Sequence, residues 1–212
     1  MQNNVFSPWC STYKRKRSIK HPSLVYESEN MCSVDLPVIN TKLLLKTNSN
    51  KSSHYISDVQ TEAIAYAINS IESDDSINNC KRGFFLGDGT GVGKSRTISG
   101  ILTELWLRNH KEYRALWISI NKNLKNDAKN EFHIVQDIQT KKTPWLEQKD
   151  LKKSSNGVFY TTYGSLINEK HYNTILNWLG YNNNNVTIIF DEAHTAKSYS
   201  SKKANMVLTL QN

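Results

Sequence analysis

The chain has 212 residues, with 27 lysines and arginines against 19 aspartates and glutamates and a formal net charge of +8. This length is enough for one well-buried α/β domain with an appendage, and no apolar run is long enough to suggest a membrane span or a signal peptide. The three cysteines form no C-x-x-C pair, which argues against a zinc site or a disulfide framework and is typical of a reducing compartment. The positive charge favours a partner with a phosphate backbone, although a coding bias towards lysine and asparagine would give the same excess.

The first part of the chain predicts an irregular arm. Residues 1–50 contain three of the four prolines, spaced along them. Residues 46–53 are polar and suit a linker, so that residues 51–212 are predicted to form the main domain. The basic run KRKR at residues 14–17 fits a solvated loop, a nuclear import patch or a phosphate contact.

A helix is predicted next, at about residues 57–71. Ser57 suits its N-cap. The apolar stripe of this helix consists of Ile64, Ile68 and Ile71. The short apolar run GFFL at residues 83–86 then predicts a buried strand. A second helical stripe follows at Ile98, Ile101, Leu102 and Leu105.

Between that strand and that helix lies the sequence GDGTGVGKS, at residues 87–95, which has the pattern of a phosphate-binding P-loop. Glycines let backbone N–H groups approach a phosphate closely, and a helix N-terminus favours an anion. Lys94 would contact the β and γ phosphates, and the Ser95 hydroxyl would bind Mg²⁺. The alternative is a glycine-rich turn that binds nothing, and the strict pattern has glycine at position 88. The predicted nucleotide-binding residues of the loop are Asp88, Gly89, Thr90, Gly91, Val92, Gly93, Lys94 and Ser95.

Strand and helix patterns then alternate to the end of the chain. Strands are predicted at residues 115–120, 133–138, 157–161 and 186–190. Helical stripes occur at Leu124, Ala128 and Phe132, at Tyr172, Ile175, Leu176 and Leu179, and at Met206, Val207 and Leu210. The lysine-rich stretch 140–156 is predicted to be a surface insertion. This alternation predicts a RecA-like α/β fold, with a mainly parallel sheet and helices on both of its faces.

The last predicted strand ends in the sequence DEAH. Asp191 would hold Mg²⁺, Glu192 would polarise the attacking water, and His194 would sense the state of the γ-phosphate. Taken alone, the acidic pair also fits a capped helix N-terminus. After a P-loop it predicts an NTPase of the DEAH-box kind that uses ATP and Mg²⁺. The predicted catalytic residues are Lys94, Asp191, Glu192 and His194, and the predicted metal ligands are Ser95 and Asp191.

In this order the motifs resemble the first motor domain of a superfamily 2 helicase and, more narrowly, the strawberry notch family. The resemblance covers nearly the whole chain. Ser95 departs from it, because glycine is expected there in much of that family. The matching motifs are GDGTGVGK at 87–94 with Arg96 following, ALWIS at 115–119, DA at 127–128, TTYGSL at 161–166, and upstream HP at 21–22 and V-x-E at 25–27.

The resemblance implies further site residues. Gln60 would read the adenine base, as in a Q motif; the alternative is a polar position on a helix surface. Arg96 would contact the nucleotide; the alternative is a charge on a helix face. Asn121, Thr162 and Tyr163 follow predicted strands, where such lobes contact the backbone of DNA or RNA, although Thr162 and Tyr163 suit packing equally well.

The leading interpretation is the ATP-binding and ATP-hydrolysing lobe of a helicase-like motor that acts on nucleic acid or nucleoprotein. The resemblance implies a second motor lobe beyond residue 212 as its partner. Two alternatives stay open: a nucleotide-switched transcription co-regulator without unwinding activity, and the motor of a restriction or defence system. No membrane partner is expected. The expected location is intracellular: nuclear for a cellular eukaryotic family member, otherwise cytoplasmic or viral.

Overall fold

The structure is a computed structural model that describes residues 6–10, 19–35, 37, 56–75, 80–89, 91–109, 113–136, 142–180, 183, 185–197 and 201–211. The chain divides into two compact units. Unit 1 comprises residues 1–104 and 131–138, and unit 2 comprises residues 105–130 and 139–212. The predicted linker at 46–53, the basic run at 14–17 and Thr90 lie outside the described residues. The predicted boundary near residue 50 stays a prediction.

Unit 1 holds short sheets and one long helix. Its elements are β1 (Phe6–Pro8), β2 (Tyr26–Ser28), α1 (Glu29–Cys32), α2 (Asp58–Glu72), β3 (Asp74–Asp75) and β4 (Cys80–Lys81). The antiparallel pairs are β1 with β2 and β3 with β4. Helices α3 (Lys94–Arg108) and α4 (Leu124–Gln136) each contribute residues to both units. The arm therefore contains regular elements within its described part.

Helix α2 confirms the predicted helix and its cap. Ser57 accepts a hydrogen bond from the backbone N–H of Gln60, and the Gln60 side chain accepts one from the backbone N–H of Ser57, which together make a capping box. Ile64 and Ile68 are buried, as the apolar stripe predicts. Helix α3 passes close to this stripe at Gly100, where an added Cβ would collide with the side chain of Ile64. The missing side chain at position 100 thus allows the two helices to pack.

The strand predicted at residues 83–86 is wrong. Residues 82–89 have no regular secondary structure, and Phe84 and Phe85 are 38% and 87% exposed. The nearest strand before them, β4, pairs with β3 only, and among the described residues no strand pairs with 83–86. A strand needs a hydrogen-bonded neighbour, and a short apolar run does not specify one.

Unit 2 is built on a four-stranded parallel sheet with the order β6-β7-β5-β8. These strands are β5 (Arg114–Ser119), β6 (Trp145–Leu146), β7 (Gly157–Thr162) and β8 (Val186–Phe190). Leu116 of the central strand is paired with Phe159 on one side and with Ile188 on the other. The predicted strands at 115–120, 157–161 and 186–190 are confirmed, and so is the α/β class with a parallel sheet.

Two predicted elements in this part of the chain are wrong. The lysine-rich stretch 140–156 is not only a surface insertion, because it supplies β6 and buries Leu146 and Leu151. Residues 133–136 of the strand predicted at 133–138 are instead the end of α4, where Val135 lies one helical turn after Phe132 and both are fully buried. The polarity of 140–156 hides a few apolar residues that tertiary contacts bury, and a short apolar run such as that after Phe132 fits a helix as well as a strand.

Three helices complete the sheet unit: α5 (Tyr163–Leu166), α6 (Glu169–Leu179) and α7 (Lys202–Gln211). The N-cap of helix α6 is Asn168, whose side chain accepts a hydrogen bond from the backbone N–H of His171. Its residues Ile175 and Trp178 join Leu116, Phe159 and neighbouring apolar residues in the core. This core therefore fixes the positions of β5, β7 and β8, and with them the carboxyl ends of these strands. Within the described part of the chain, no helix is long and apolar enough to cross a membrane.

Candidate functional site

The phosphate loop in unit 1 adopts a backbone that only glycine tolerates well. Gly91 and Gly93 have φ angles of 86° and 81°, in the left-handed region. A Cβ added at Gly93 would lie 2.6 Å from Nε2 of Gln60, whereas one added at Gly91 or Gly89 would meet nothing within 4 Å. The loop ends at Lys94, the first residue of α3, so its last peptide groups lie at a helix N-terminus, which attracts anions.

Gln60 fastens this loop to helix α2. Its Nε2 donates hydrogen bonds to the carbonyl oxygens of Val92 at 3.2 Å and Gly93 at 3.4 Å. Its Oε1 accepts a hydrogen bond from the Ser57 N–H at 3.1 Å, and Gln60 is 5% exposed. Nδ1 of the buried His21 lies 3.0 Å from the Ser57 hydroxyl oxygen. The structure thus gives Gln60 a role in shaping the loop, and its predicted contact with adenine stays a prediction.

The ammonium group of Lys94 is turned towards its own loop. Its Nζ donates to the carbonyl oxygens of Asp88 and Gly89, both at 3.0 Å. Burial raises the pKa of Asp88 above its ordinary value, and the nearby charges of Lys94 and His21 lower it in part. Two charged side chains of opposite sign therefore lie at the loop that is predicted to receive phosphates.

Arg96 is engaged in an ion pair. Its Nε lies 2.6 Å from Oε2 of Glu131, and its Nη2 donates to Oε1 at 3.1 Å, so that the guanidinium binds both carboxylate oxygens. This contact ties the first turn of α3 to α4. The sequence did not reveal it, because the partners are 35 residues apart. The predicted contact of Arg96 with the nucleotide stays a prediction.

The residues of the loop fit a magnesium–triphosphate. The backbone at Gly91 and Gly93 has the left-handed conformation that suits glycine, and Lys94 supplies a positive charge at the end of the loop. Ser95 lies in the first turn of α3 and carries a hydroxyl oxygen, the kind of ligand that Mg²⁺ takes in such loops. Lys94, Ser95 and the loop amides are the residues that would hold the group.

The acidic pair lies in unit 2, directly after β8. The backbone N–H of Asp191 donates to the carbonyl of Ile118 at 2.8 Å, which extends the pairing of β8 with β5. Glu192 has φ 52° and ψ 46°, and it is the only non-glycine residue with positive φ among the described residues. Such a conformation costs about 1–2 kcal/mol and is concentrated at functional sites. Nδ1 of His194 lies 3.3 Å from Oε2 of Glu192.

Sequence reasoning missed two hydroxyl groups that bind Asp191. The Ser119 hydroxyl donates to Oδ2 of Asp191 at 2.8 Å, and the Tyr163 hydroxyl donates to the Asp191 backbone carbonyl at 3.0 Å. Burial raises the pKa of Tyr163, and the charges of Asp191 and Glu192 raise it further, so the phenol stays protonated and able to donate. The position of a small hydroxyl residue at the end of a strand was the available signal, but the pairing of β5 with β8 was needed to interpret it.

The three predicted nucleic-acid contacts differ in accessibility. Thr162 and Tyr163 are buried, and Thr162 caps α5 by accepting a hydrogen bond from the backbone N–H of Ser165. Asn121 is exposed, and its Oδ1 accepts hydrogen bonds from the N–H groups of Asn123 and Leu124 at the start of α4. Asn121 is thus accessible in this structure and Thr162 and Tyr163 are not, and the contact of all three with nucleic acid stays a prediction.

Comparison with known proteins identifies the family of the chain. The family model described as P-loop containing NTP hydrolase pore-1 matches residues 20–212. The chain belongs to this family. As a P-loop NTPase, it is similar to the mouse protein strawberry notch homolog 2 (36% identity over 94% of this chain), to human strawberry notch homolog 1 (34% over 94%) and to the Drosophila melanogaster protein strawberry notch (34% over 87%). The predicted strawberry notch resemblance is thus confirmed. This P-loop NTPase covers 15%, 16% and 12% of the lengths of these three relatives.

Proposed function

We propose that this P-loop NTPase binds ATP with Mg²⁺ and hydrolyses it, as part of a helicase-like motor that acts on nucleic acid or nucleoprotein. The observation that carries the proposal is the phosphate loop itself. Its left-handed glycines, its position at the start of α3 and the adjacent Lys94 and Ser95 meet the requirements of a triphosphate.

In this proposal each residue has one task. Lys94 leaves the carbonyls of Asp88 and Gly89 and contacts the β and γ phosphates. Ser95 of the loop and Asp191 of the acidic pair are the residues that would each serve as a ligand of Mg²⁺, which would supply positive charge against the phosphates. Glu192 orients a water and accepts its proton as the water oxygen bonds to the γ-phosphorus. The bond from that phosphorus to the ADP oxygen breaks, and ADP and phosphate result.

The nucleotide-binding part is tested by replacing Lys94 with alanine. The loss of its charged hydrogen bonds is worth about 1.5–3 kcal/mol, or about 10-fold to 150-fold in affinity for a fluorescent ATP analogue. Lys149→Ala is the matched control, because it removes the same charge at an exposed position of unit 2. If Lys94→Ala binds the analogue as tightly as the control, the loop is not the nucleotide site.

The assignment of the acidic pair is tested by two amides. Glu192→Gln is expected to keep Mg²⁺-dependent nucleotide binding and to lose turnover, because only proton acceptance is removed. Asp191→Asn is expected to weaken the Mg²⁺ dependence of binding itself. Identical behaviour of the two variants would refute the separation of roles. A parent that binds nucleotide and changes conformation without any turnover would favour the nucleotide-switched interaction protein.

The nucleic-acid partner rests on the net charge of +8 and on the exposed Asn121. Contacts with phosphates release counterions, so the affinity for DNA or RNA should fall linearly with salt concentration on a double-logarithmic plot. Filter binding of a labelled oligonucleotide across a salt series measures this slope. A flat response would remove the backbone-contact proposal and leave the ATPase proposal standing.

A further inference from the structure

Asp191 is held at three points in unit 2. Its N–H is bonded to the Ile118 carbonyl, its own carbonyl accepts from the Tyr163 hydroxyl, and its Oδ2 accepts from the Ser119 hydroxyl. The two backbone bonds fix where the residue lies, and the side-chain bond fixes how the carboxylate is rotated. Ser119 and Tyr163 are themselves almost completely buried, so neither hydroxyl can easily turn to water instead.

The bond from Ser119 makes the two carboxylate oxygens of Asp191 unequal. A serine hydroxyl has one hydrogen, and Ser119 donates it to Oδ2 at 2.8 Å. Oδ2 therefore already accepts a hydrogen bond from a residue of β5. Oδ1 has no hydrogen-bond partner among the described residues, and Asp191 is only partly buried. One oxygen is therefore anchored, and the other is left for an incoming group.

The location of Ser119 argues for a role beyond filling space. It is the last residue of β5, next to β8, which Asp191 directly follows, and its backbone is paired with Thr162 of β7. An alanine would fill almost the same volume there. What the hydroxyl adds is hydrogen bonding: it donates to the predicted metal ligand, and it also lies within hydrogen-bond reach of the Tyr160 side chain.

We propose that Ser119 and Tyr163 are positioning residues for Asp191, with Ser119 anchoring Oδ2 so that Oδ1 stays available as a ligand for Mg²⁺. This inference rests on the proposed function and deepens it. Residues that orient a metal ligand by a hydrogen bond, without binding the metal, contribute about 10-fold to 100-fold to metal affinity. Ser119 therefore acts through Asp191 and does not itself touch the nucleotide.

The test measures the Mg²⁺ dependence of binding without turnover. A fluorescent ATP analogue is titrated into the full chain at a series of free Mg²⁺ concentrations and in EDTA. For Ser119→Ala we expect the half-saturating Mg²⁺ concentration to rise about 10-fold or more and the affinity in EDTA to stay unchanged. Tyr163→Phe, which removes one oxygen atom only, should shift the Mg²⁺ midpoint in the same direction by a smaller factor. Ser119→Thr, which restores a hydroxyl, should return the midpoint towards that of the parent.

Thr161→Val is the matched control. Thr161 is a buried hydroxyl residue of the same sheet, but its Oγ1 lies 2.9 Å from Nε2 of His171, so its hydroxyl has a different partner. The control should keep the parental Mg²⁺ midpoint. A control that shifts as far as Ser119→Ala, or Ser119→Ala and Tyr163→Phe proteins with the parental midpoint, would overturn the inference. If the parent itself shows no Mg²⁺-dependent nucleotide binding, the proposed function fails first.

Discussion

Replacement of Gly93 by alanine should destabilise unit 1 more than the same change at the other loop glycines. With φ at 81°, an alanine at position 93 would adopt the left-handed conformation, at a cost of about 1–2 kcal/mol. Its Cβ would also lie 2.6 Å from Nε2 of Gln60. The flexible amide can move away, but it would then lose its bonds to the carbonyls of Val92 and Gly93, together about 1 kcal/mol. The expected loss is about 2–3 kcal/mol in total.

The other two glycines provide matched controls. Gly91→Ala meets the same left-handed strain, with φ at 86°, but nothing within 4 Å, so its expected loss is about 1–2 kcal/mol. Gly89→Ala has neither a positive φ nor a neighbour within 4 Å, and it should stay within about 0.5 kcal/mol of the parent. The series thus separates backbone strain from the contact with Gln60.

The assay is urea unfolding of the three variants, followed by a double-mutant cycle with Gln60→Ala. In the Gln60→Ala background the amide is already gone, so Gly93→Ala should cost only the backbone strain, with a coupling of about 1 kcal/mol between the two positions. Equal losses for the three alanine variants, or no coupling with Gln60, would refute the reasoning. The loop would then not be shaped by Gln60.

Three other changes have expected outcomes. Glu192→Gly should keep or raise the thermal stability, by up to about 1 kcal/mol, because glycine relieves the left-handed backbone; a lower melting temperature would contradict this. Burial raises the pKa of Asp88, so ionisation of this carboxyl lowers the free energy of unfolding. The loss is absent below the ordinary pKa of 3.8 and is complete once the pH has risen through the raised pKa. In urea unfolding Asp88→Asn should therefore be more stable than the parent at pH 7 and lose this advantage towards pH 4. An advantage independent of pH would exclude ionisation of Asp88 as its cause. Removing either Arg96 or Glu131 should cost about 1 kcal/mol, and removing both should cost less than the sum, as a double-mutant cycle can show.

The local patterns of the sequence were enough for the parts of the site that are continuous in the chain. The loop at 87–95 carries its own glycines, lysine and serine, and its two left-handed positions are both glycine. The cap of α2 is a spacing of three residues, from Ser57 to Gln60, and it forms as the sequence indicates. Strand β8 and the acidic pair after it are also contiguous. Such features depend on neighbours within one or two turns of chain, which a sequence specifies directly.

The predictions from sequence were wrong where the structure of a segment depends on a partner segment far along the chain. The apolar run 83–86 satisfies a strand pattern, but no strand pairs with it among the described residues, and Phe85 stays exposed. The polarity of the stretch 140–156 indicates a surface segment, but Trp145 and Leu146 form a further strand that pairs with β7. A strand or a buried position is a relation between two segments, so one segment's composition cannot determine it.

The same reason explains why the sequence predicts the residues of the site but not their orientation. Asp191 could be picked out from the DEAH sequence alone. Its anchoring by Ser119, 72 residues earlier, exists only because β5 and β8 are adjacent and parallel and both end at the same edge of the sheet. The sequence by itself determined which chemical groups are present, and the tertiary structure decided which way they face, because a hydrogen bond across strands requires the register that packing sets.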